Sequence, residues 1–461
     1  MQDSAMPTTG VDHLFTRKDL WRLIWPLVIE QFLAITLGIA DIIMISSRGE
    51  AAVSGVSLVD TIFILINGLF AALATGGAVI CAQYIGQKRP DMASRTAKQL
   101  IYTVIAGAAL VMAIGFAGGT RLLCLIFGKI TPEVMANART YFHYMLISLP
   151  SVALYNGSAA LFRAQGNSRV SMVTAFVINI FHIGGNATLL FGFGFGVEGV
   201  AFSTLASRTI AAIILIALLH GAKGKGKRAH SVIDISGISR VSVDPRLVKK
   251  ILKIGIPTGL ENSMFQLGKI LVLTLVSSFG TGAIAANAAA NTVSAFEVLP
   301  GAAVGLALLT IVGQCMGAGR SDEAVYYTKR LMAVAYLSMA ALNIPLLLSA
   351  KCVVGAYGLS AETAHLAWLM LMCHGLFGMV LWPASFTLPN ALRAAGDAKF
   401  TMIVSLASMW AVRIGLSYVF AYSLGLGAFG VWLAMSCDWV VRSGFFIERF
   451  AHGSWRSRRL V

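Results

Sequence analysis

The sequence predicts an all-α integral membrane protein, with twelve transmembrane helices forming two pseudo-symmetric six-helix lobes. Three observations predict it. The 461 residues are 57% hydrophobic and only 12% charged, with a mean hydropathy of +0.77. A soluble domain carries about 25% charged residues, so there is too little polar surface here to cover a globule. The apolar residues fall in runs of about 20, the length a bilayer-spanning helix needs, rather than in alternating stripes. Finally, four short blocks recur in the same order 230 or 231 positions later.

Backbone groups in lipid must be satisfied within their own segment, so each apolar run is read as a helix. The first residues, 1–19, form a polar tail without the apolar core and cleavage site of a secretory signal; the run after it is a retained span. The expected spans are 20–45, 57–82, 97–119, 138–161, 170–192 and 197–220, then 250–276, 286–313, 326–350, 365–389, 400–422 and 427–448. They define an N-lobe over 20–221 and a C-lobe over 249–448. A polar, Lys- and Gly-rich linker at 222–248 joins the lobes, and a basic tail occupies 449–461.

Charge sets the orientation. Arg17, Lys18 and Arg22; Lys88, Arg89, Arg95 and Lys98; Arg163 and Arg169; the linker cations; Arg320, Lys329 and Arg330; Arg393 and Lys399; and the C-terminal arginines all fall on one side. The other side carries only Arg48, Arg121, Lys129, Arg139 and Lys351. The positive-inside rule makes the first side cytoplasmic, with both termini inside a bacterial-type inner membrane. The net charge of +16 and pI of about 9.8 are explained this way, without a nucleic-acid partner. The linker's KGKGKR run suits either anionic lipid headgroups or a solvated loop. Cys81, Cys124, Cys315, Cys352, Cys373 and Cys437 form no CxxC pair and read as small packing residues, not as disulfides or a metal site.

The repeated blocks are WPLVIE (25–30) with IPTGLE (256–261), AQYIGQKR (82–89) with GQCMGAGR (313–320), LFRAQGNSRVSM (161–172) with ALRAAGDAKFTM (391–402), and GFGVEGV (194–200) with GLGAFGV (425–431). An even number of spans per unit gives both units the same orientation, related by an axis along the membrane normal. RAQG and RAAG become equivalent inner turns in which Gly166 and Gly396 suit the tight backbone. Two like-oriented bundles with a cleft between them suit alternating access. GxxxxGKS/T, HExxH and GxSxG are missing, which excludes the usual signatures of ATP-driven pumps, zincins and α/β-hydrolases. No cofactor and no enzyme activity are expected.

WPLVIEQFLAITLGIADIIMI (25–45), AQYIGQ (82–87), GIPTGLENSMFQLGK (255–269), VGQCMGAG (312–319) and TLPNALRAAGDAKFTM (387–402) together resemble the MATE (multidrug and toxic compound extrusion) transporters over roughly residues 17–448. The resemblance implies a V-shaped pair of six-helix lobes. It also implies export of small organic, often cationic, compounds in exchange for H+ or Na+, by a monomer whose other partners are membrane lipids. A flippase of lipid-linked products is the related alternative, and an integral-membrane transferase is a more distant one.

Ionisable groups within spans are costly and usually face a cavity or a partner. By resemblance Asp41 matches the family's cation-coupling aspartate in the first helix, with H+ favoured and Na+ near Asp41 as the alternative. A hydrogen-bonded structural aspartate is the other reading. Glu30 and Glu261 are repeat mates, each four residues after a proline; they suit either a symmetric structural role at backbone freed by the proline or binding in the cleft. Lys269, deep in span 7, has Gly38 as its repeat counterpart and needs a carboxylate partner or a neutral form. His182 and Asn186 stand where relatives carry Asn and Asp, which removes one carboxylate from the N-lobe. Glu297 is expected to line the C-lobe cavity, Asp60 to sit near the membrane interface, and Arg413 to need a buried partner. Trp382 replaces an aspartate that some relatives carry in span 10.

Overall fold

A computed structural model describes residues 13–128, 130–220, 231–458 and 460–461. The first twelve residues, Lys129, Arg459 and the linker cations Lys223, Lys225, Lys227 and Arg228 lie outside them.

Every expected span lies on a helix. The first six helices are α1 (Arg17–Ser46), α2 (Glu50–Gly86), α3 (Pro90–Phe127), α4 (Pro132–Ala164), α5 (Ser168–Gly192) and α6 (Val197–Leu219). The second six are α7 (Pro245–Ser277), α8 (Thr281–Glu297 continuing as Leu299–Gly317), α9 (Ser321–Leu348), α10 (Ala361–Ala394), α11 (Ala398–Ser423) and α12 (Gly427–His452). Their starts follow from local chemistry. Thr16 and Asp19 close a capping box, Thr131, Asp244 and Ser360 accept from first-turn amides, and prolines open α3, α4 and α7. The break in α8 precedes Pro300, whose ring cannot continue the preceding turn. Among the described residues, ten helices are long and apolar enough to cross a membrane. The two that fall short, α7 and α12, carry Glu261 and Lys269, and Asp438 and Arg442.

The internal repeat extends to the backbone. Gly49 and Gly280 both have φ 93°, and Gly166 and Gly396, at 81° and 96°, make the tight turns of the RAQG and RAAG hairpins. A π-helical turn at Thr188–Gly192 in α5 recurs at Val419–Ser423 in α11. A further π-helical segment, Ser408–Ile414, lies between the hairpin block, where the repeat offset is 230, and the final block, where it is 231. A π turn accommodates one extra residue without ending a helix, which reconciles the two offsets. At Lys88 the chain has φ 58°, and its repeat mate is Gly319, at 73°.

The apolar core is unevenly shared. One cluster joins α1–α6 to the basic-end halves of α7, α8 and α9 and to the hairpin before α11. A separate cluster holds the opposite end of the second lobe, around Leu275, Ala286, Met370 and Trp432. The lobes are therefore fused at the basic end and distinct at the other. The fusion rests on a close crossing of α2 with α8: a Cβ at Gly86 would stand 2.0 Å from the Gln314 carbonyl oxygen, and one at Gly317 2.0 Å from that of Gln83. Gln83 Nε2 donates to Ala394 O and Gln314 Nε2 to Ala164 O, each at 2.8 Å, so each lobe holds the other's hairpin. Thr310 Oγ1 adds a bond to Arg163 O.

The KGKGKR run lies outside the described residues, and the second half of the linker packs against the first lobe. Ile233 and Ile235 are fully buried, the Gln165 side chain accepts from Ile233 N and Ser231 Oγ, and Lys98, Gln99 and Tyr102 of α3 donate to Ser236, Ser242 and Ile238 carbonyls. The basic tail is also docked: Arg449 and Arg458 both pair with buried Asp397, beside buried Trp455.

Gly86→Ala is expected to force α2 and α8 apart. Overpacking costs about 1–3 kcal/mol, all of it falling on the closed basic end. Cys315 is buried two residues from the crossing. With exposed Cys124 and Cys352 and partly exposed Cys437 replaced by serine, maleimide labelling of Cys315 should accelerate about tenfold in Gly86→Ala; an unchanged rate would show that the crossing does not hold the basic end shut.

Candidate functional site

A cavity of about 1120 Å³ lies between the lobes, lined mainly by α1, α2, α4 and α5, with Trp382, Phe386 and Asn390 of α10 on its far wall. Its wall is largely apolar, and its ionisable groups come from the N-lobe.

Asp41 faces this cavity from α1. Its Oδ1 accepts from Asn186 Nδ2 at 2.9 Å and stands 3.5 Å from His182 Nε2. His182 is in turn held by Thr204 Oγ1 at 2.9 Å. His182 and Asn186 are one turn apart on α5, which places both on the face toward α1. Asn186 is fully buried and its Oδ1 has no partner among the described residues, so an acceptor stands free beside the aspartate. The Asp41 side chain keeps 27% exposure, enough for its other oxygen to meet a solute in the cavity.

Asp60, expected near the membrane interface, also belongs to this site. It lines the same cavity, where Tyr141 Oη donates to it at 3.2 Å, and it lies within electrostatic range of Asp41. The carboxylate absent from α5 is thus met by one from α2. Arg208 of α6 faces both aspartates and is oriented by Ser148 and the Met145 sulfur. The sequence reading does not single out Arg208; the available signal is the intramembrane charge itself.

Glu30 and Glu261 are spoken for. Glu30 receives Arg163 Nη1 and Ser171 Oγ, each at 2.7 Å. Glu261 receives Arg393 Nη2 at 2.7 Å and Ser405 Oγ at 2.6 Å. Neither carboxylate serves backbone freed by its proline: each ties the arginine of its own lobe's hairpin to the first helix of that lobe. The two serines are not repeat mates; Ser405 stands one helical turn further along α11 than the counterpart of Ser171.

Glu297 is not a cavity residue. It is 1% exposed in the packing of α8 against α9 and α10, where it bonds His374 Nδ1 and its backbone carbonyl accepts from Asn343. Lys269 meets neither Glu261 nor Asp41: among the described residues it makes no ion pair, and its ammonium stands 5.9 Å from the Phe265 ring centroid. Arg413 meets the Met435 sulfur at 3.1 Å and the Phe265 ring at 5.5 Å. Asp438 and Arg442 of α12, both buried and not singled out from sequence, complete a polar network inside the C-lobe. Among the described residues, no group of three or more His, Cys, Asp or Glu is placed to hold a metal ion.

With this geometry in view, the comparisons are specific. The family model described as MatE matches residues 26–188 and again 257–419, two segments displaced by the 231 positions that separate Pro26 from Pro257. The chain is 28% identical to the uncharacterized transporter YisQ of Bacillus subtilis, over 95% of this chain and 94% of the relative. It is 25% identical to the probable multidrug resistance protein NorM of Thermotoga maritima, over 96% and 94%. A solved structure described as the outward-facing conformation of a multidrug resistance MATE family transporter of the MOP superfamily superposes with a TM-score of 0.88 at 20% identity, covering 98% of this chain and all of that one.

Glu30→Gln leaves the half-buried Arg163 without its counter-charge and is expected to destabilise the protein by about 1–3 kcal/mol. Glu30→Gln combined with Arg163→Met should cost less than the sum of the single changes by at least about 1 kcal/mol. Unfolding of the four proteins in detergent measures that coupling, and strict additivity would rule out the hairpin tie.

Proposed function

Because the chain belongs to the MATE family, we propose that it is a secondary active antiporter that exports organic, chiefly cationic, compounds by alternating access in exchange for H+ or Na+. The carrying observation is Asp41, held by Asn186 through one oxygen and open through the other to a cavity large enough for a drug-sized molecule. Asp41 and Asp60, against Arg208 alone, leave the aspartate end of the cavity with an excess of negative charge, which suits a cation. Apolar side chains such as Phe63, Trp382 and Phe386 supply the dry surface for an organic body.

H+ is the favoured coupling ion. A sodium ion calls for several oxygen ligands, as hard cations do, whereas the groups that meet Asp41 Oδ1 are the Asn186 amide nitrogen and the His182 ring nitrogen, with Asn186 Oδ1 as the one further free acceptor on those two side chains. A proton needs only the carboxylate. The multi-pass chain is placed in the inner membrane with its basic end and termini in the cytoplasm, by the positive-inside rule. With the basic end closed, the cavity then opens outward, the state in which an external ion meets Asp41 and substrate leaves. Closing the outer end and separating α2 from α8 would turn the same cavity inward.

In proteoliposomes loaded with a fluorescent organic cation, a pH jump is expected to drive movement of the dye and a matched Na+ jump to drive less. Asp41→Asn should abolish the driven component. Movement that persists in Asp41→Asn would remove Asp41 from coupling, and no driven movement in either protein across a broad cation panel would overturn the antiporter reading.

A further inference from the structure

The two lobes share a backbone plan but not a charge pattern. In the N-lobe, Gly38, Asp41 and Asp60 follow one another along the cavity face of α1 and α2. At the positions 231 residues later stand Lys269, Val272 and Asn291. The repeat has exchanged two carboxylates for uncharged side chains and a glycine for a lysine. Arg413, in the part of α11 that corresponds to the His182 region of α5, adds another cation.

These changes converge in space. Glu261, Phe265 and Lys269 recur every four residues on one face of α7. Three cationic groups surround the Phe265 ring, with Arg413 at 5.5 Å from its centroid and Lys269 and Arg442 each at 5.9 Å. The Phe386 ring, which lines the central cavity, lies 5.9 Å from Phe265 and carries Arg442 over its face at 4.2 Å. The available negative charge does not match. Glu261 is engaged by Arg393 and Ser405 and stands 3.7 Å from Arg442; Asp438 accepts from Ser408. Lys269, Arg393, Arg413 and Arg442 thus face only two carboxylates. The shortfall shows in individual atoms. Among the described residues, Arg413 Nε and Arg442 Nε and Nη1 are buried without an acceptor, and Arg413 Nη2 meets the Met435 thioether. Arg413 is 6% exposed and Arg442 2%, yet Lys269, one turn beyond Phe265, is exposed. Buried guanidinium groups with unused donors, beside an exposed lysine, make a donor set suited to an anion.

We propose that the C-lobe is an oxyanion site, in which Lys269 and Arg413 hold the carboxylate of an organic substrate whose body packs on Phe265 and Phe386. The substrate class this adds is the organic anion, or the zwitterion whose amine is taken by the aspartates of the other lobe. The proposal rests on the reading that the cleft takes organic substrates, but not on the coupling ion.

The test is direct binding to the full-length chain in phosphatidylcholine nanodiscs, by fluorescence anisotropy. The probes are a xanthene dye bearing a cationic amine and a free carboxylate, and its ethyl ester. The wild type is expected to bind the free acid about tenfold more tightly than the ester. Lys269→Gln should bring the ratio close to one and Lys269→Arg should keep it. Arg413→Gln should also lower it, but because that residue is buried, the exposed Lys269 carries the test alone if the arginine variant fails to fold. Equal affinities in the wild type, a ratio unmoved by Lys269→Gln, or binding of neither dye would overturn the proposal. Repeating the titration with phosphatidylglycerol in the nanodisc distinguishes the source of the anion. An unchanged ratio is expected for a substrate carboxylate, whereas displacement of the acid that depends on Lys269 would overturn the substrate assignment in favour of a lipid headgroup. Since binding needs no ion gradient, a preserved acid preference without ion-driven transport would defeat the antiporter reading and leave this site standing.

Discussion

Everything in this structure depends on two helices that touch without side chains. Where α2 crosses α8, Gly86 and Gly317 each lie against a glutamine carbonyl of the other helix, too close for any Cβ. That contact lets Gln83 and Gln314 reach the opposite lobe's hairpin, and the hairpins carry the arginines that tie α4 to α1 and α10 to α7. A chain of contacts thus runs from the first helix of one lobe, through its hairpin and the glycine crossing, to the first helix of the other. It is nearly two-fold symmetric, as a duplicated unit would make it. It also explains why the apolar core is continuous at the basic end and divided at the opposite one.

Among the ionisable and polar residues, the preserved ones include those that hold the two lobes together, and the diverged ones include the aspartates of the cavity. Glu30 and Glu261, Arg163 and Arg393, Gln83 and Gln314 and the two turn glycines are all preserved between halves. Asp41, Asp60, His182, Lys269 and Arg413 are not. Duplication first provides two equal frames, and the surfaces inside them can then diverge without disturbing the contacts at the crossing. Glu297 fits this division: it has no charged repeat mate, but it is buried against His374 and belongs to the packing of its own lobe.

How much of this is legible in the sequence differs by kind of interaction. The spans were readable because burial in lipid demands long apolar runs, and the hairpin turns because only glycine adopts their backbone cheaply. The π-helical segment in α11 is visible beforehand only as a one-residue change in repeat offset, whose physical meaning needs the backbone. Asp41 stands out as an acid in an apolar run. Asp60 does not declare itself, because distance along a span says how deep a residue sits but not which way it faces. Arg208, Asp438 and Arg442 carry the same intramembrane signal as Lys269, but their roles come from neighbours on other helices. The partners of Glu30 and Glu261 escaped for a related reason: a proline four residues away is a local cue, whereas an arginine 133 or 132 positions away is a tertiary one.

The proposed cycle must break the basic-end contacts in each turnover, so their strength limits what can drive it. Two glutamine–carbonyl bonds and the Thr310 bond contribute about 0.5–1.5 kcal/mol each when exchanged for water. One charge moving through 100 mV supplies about 2.3 kcal/mol, the same order as the sum. The Glu30–Arg163 and Glu261–Arg393 pairs lie within lobes and need not break, which is as well, since separating a buried ion pair would exceed what one coupling ion delivers. The buried carboxylate–arginine pairs stay within their own lobes, while the glycine crossing joins the lobes at the basic end.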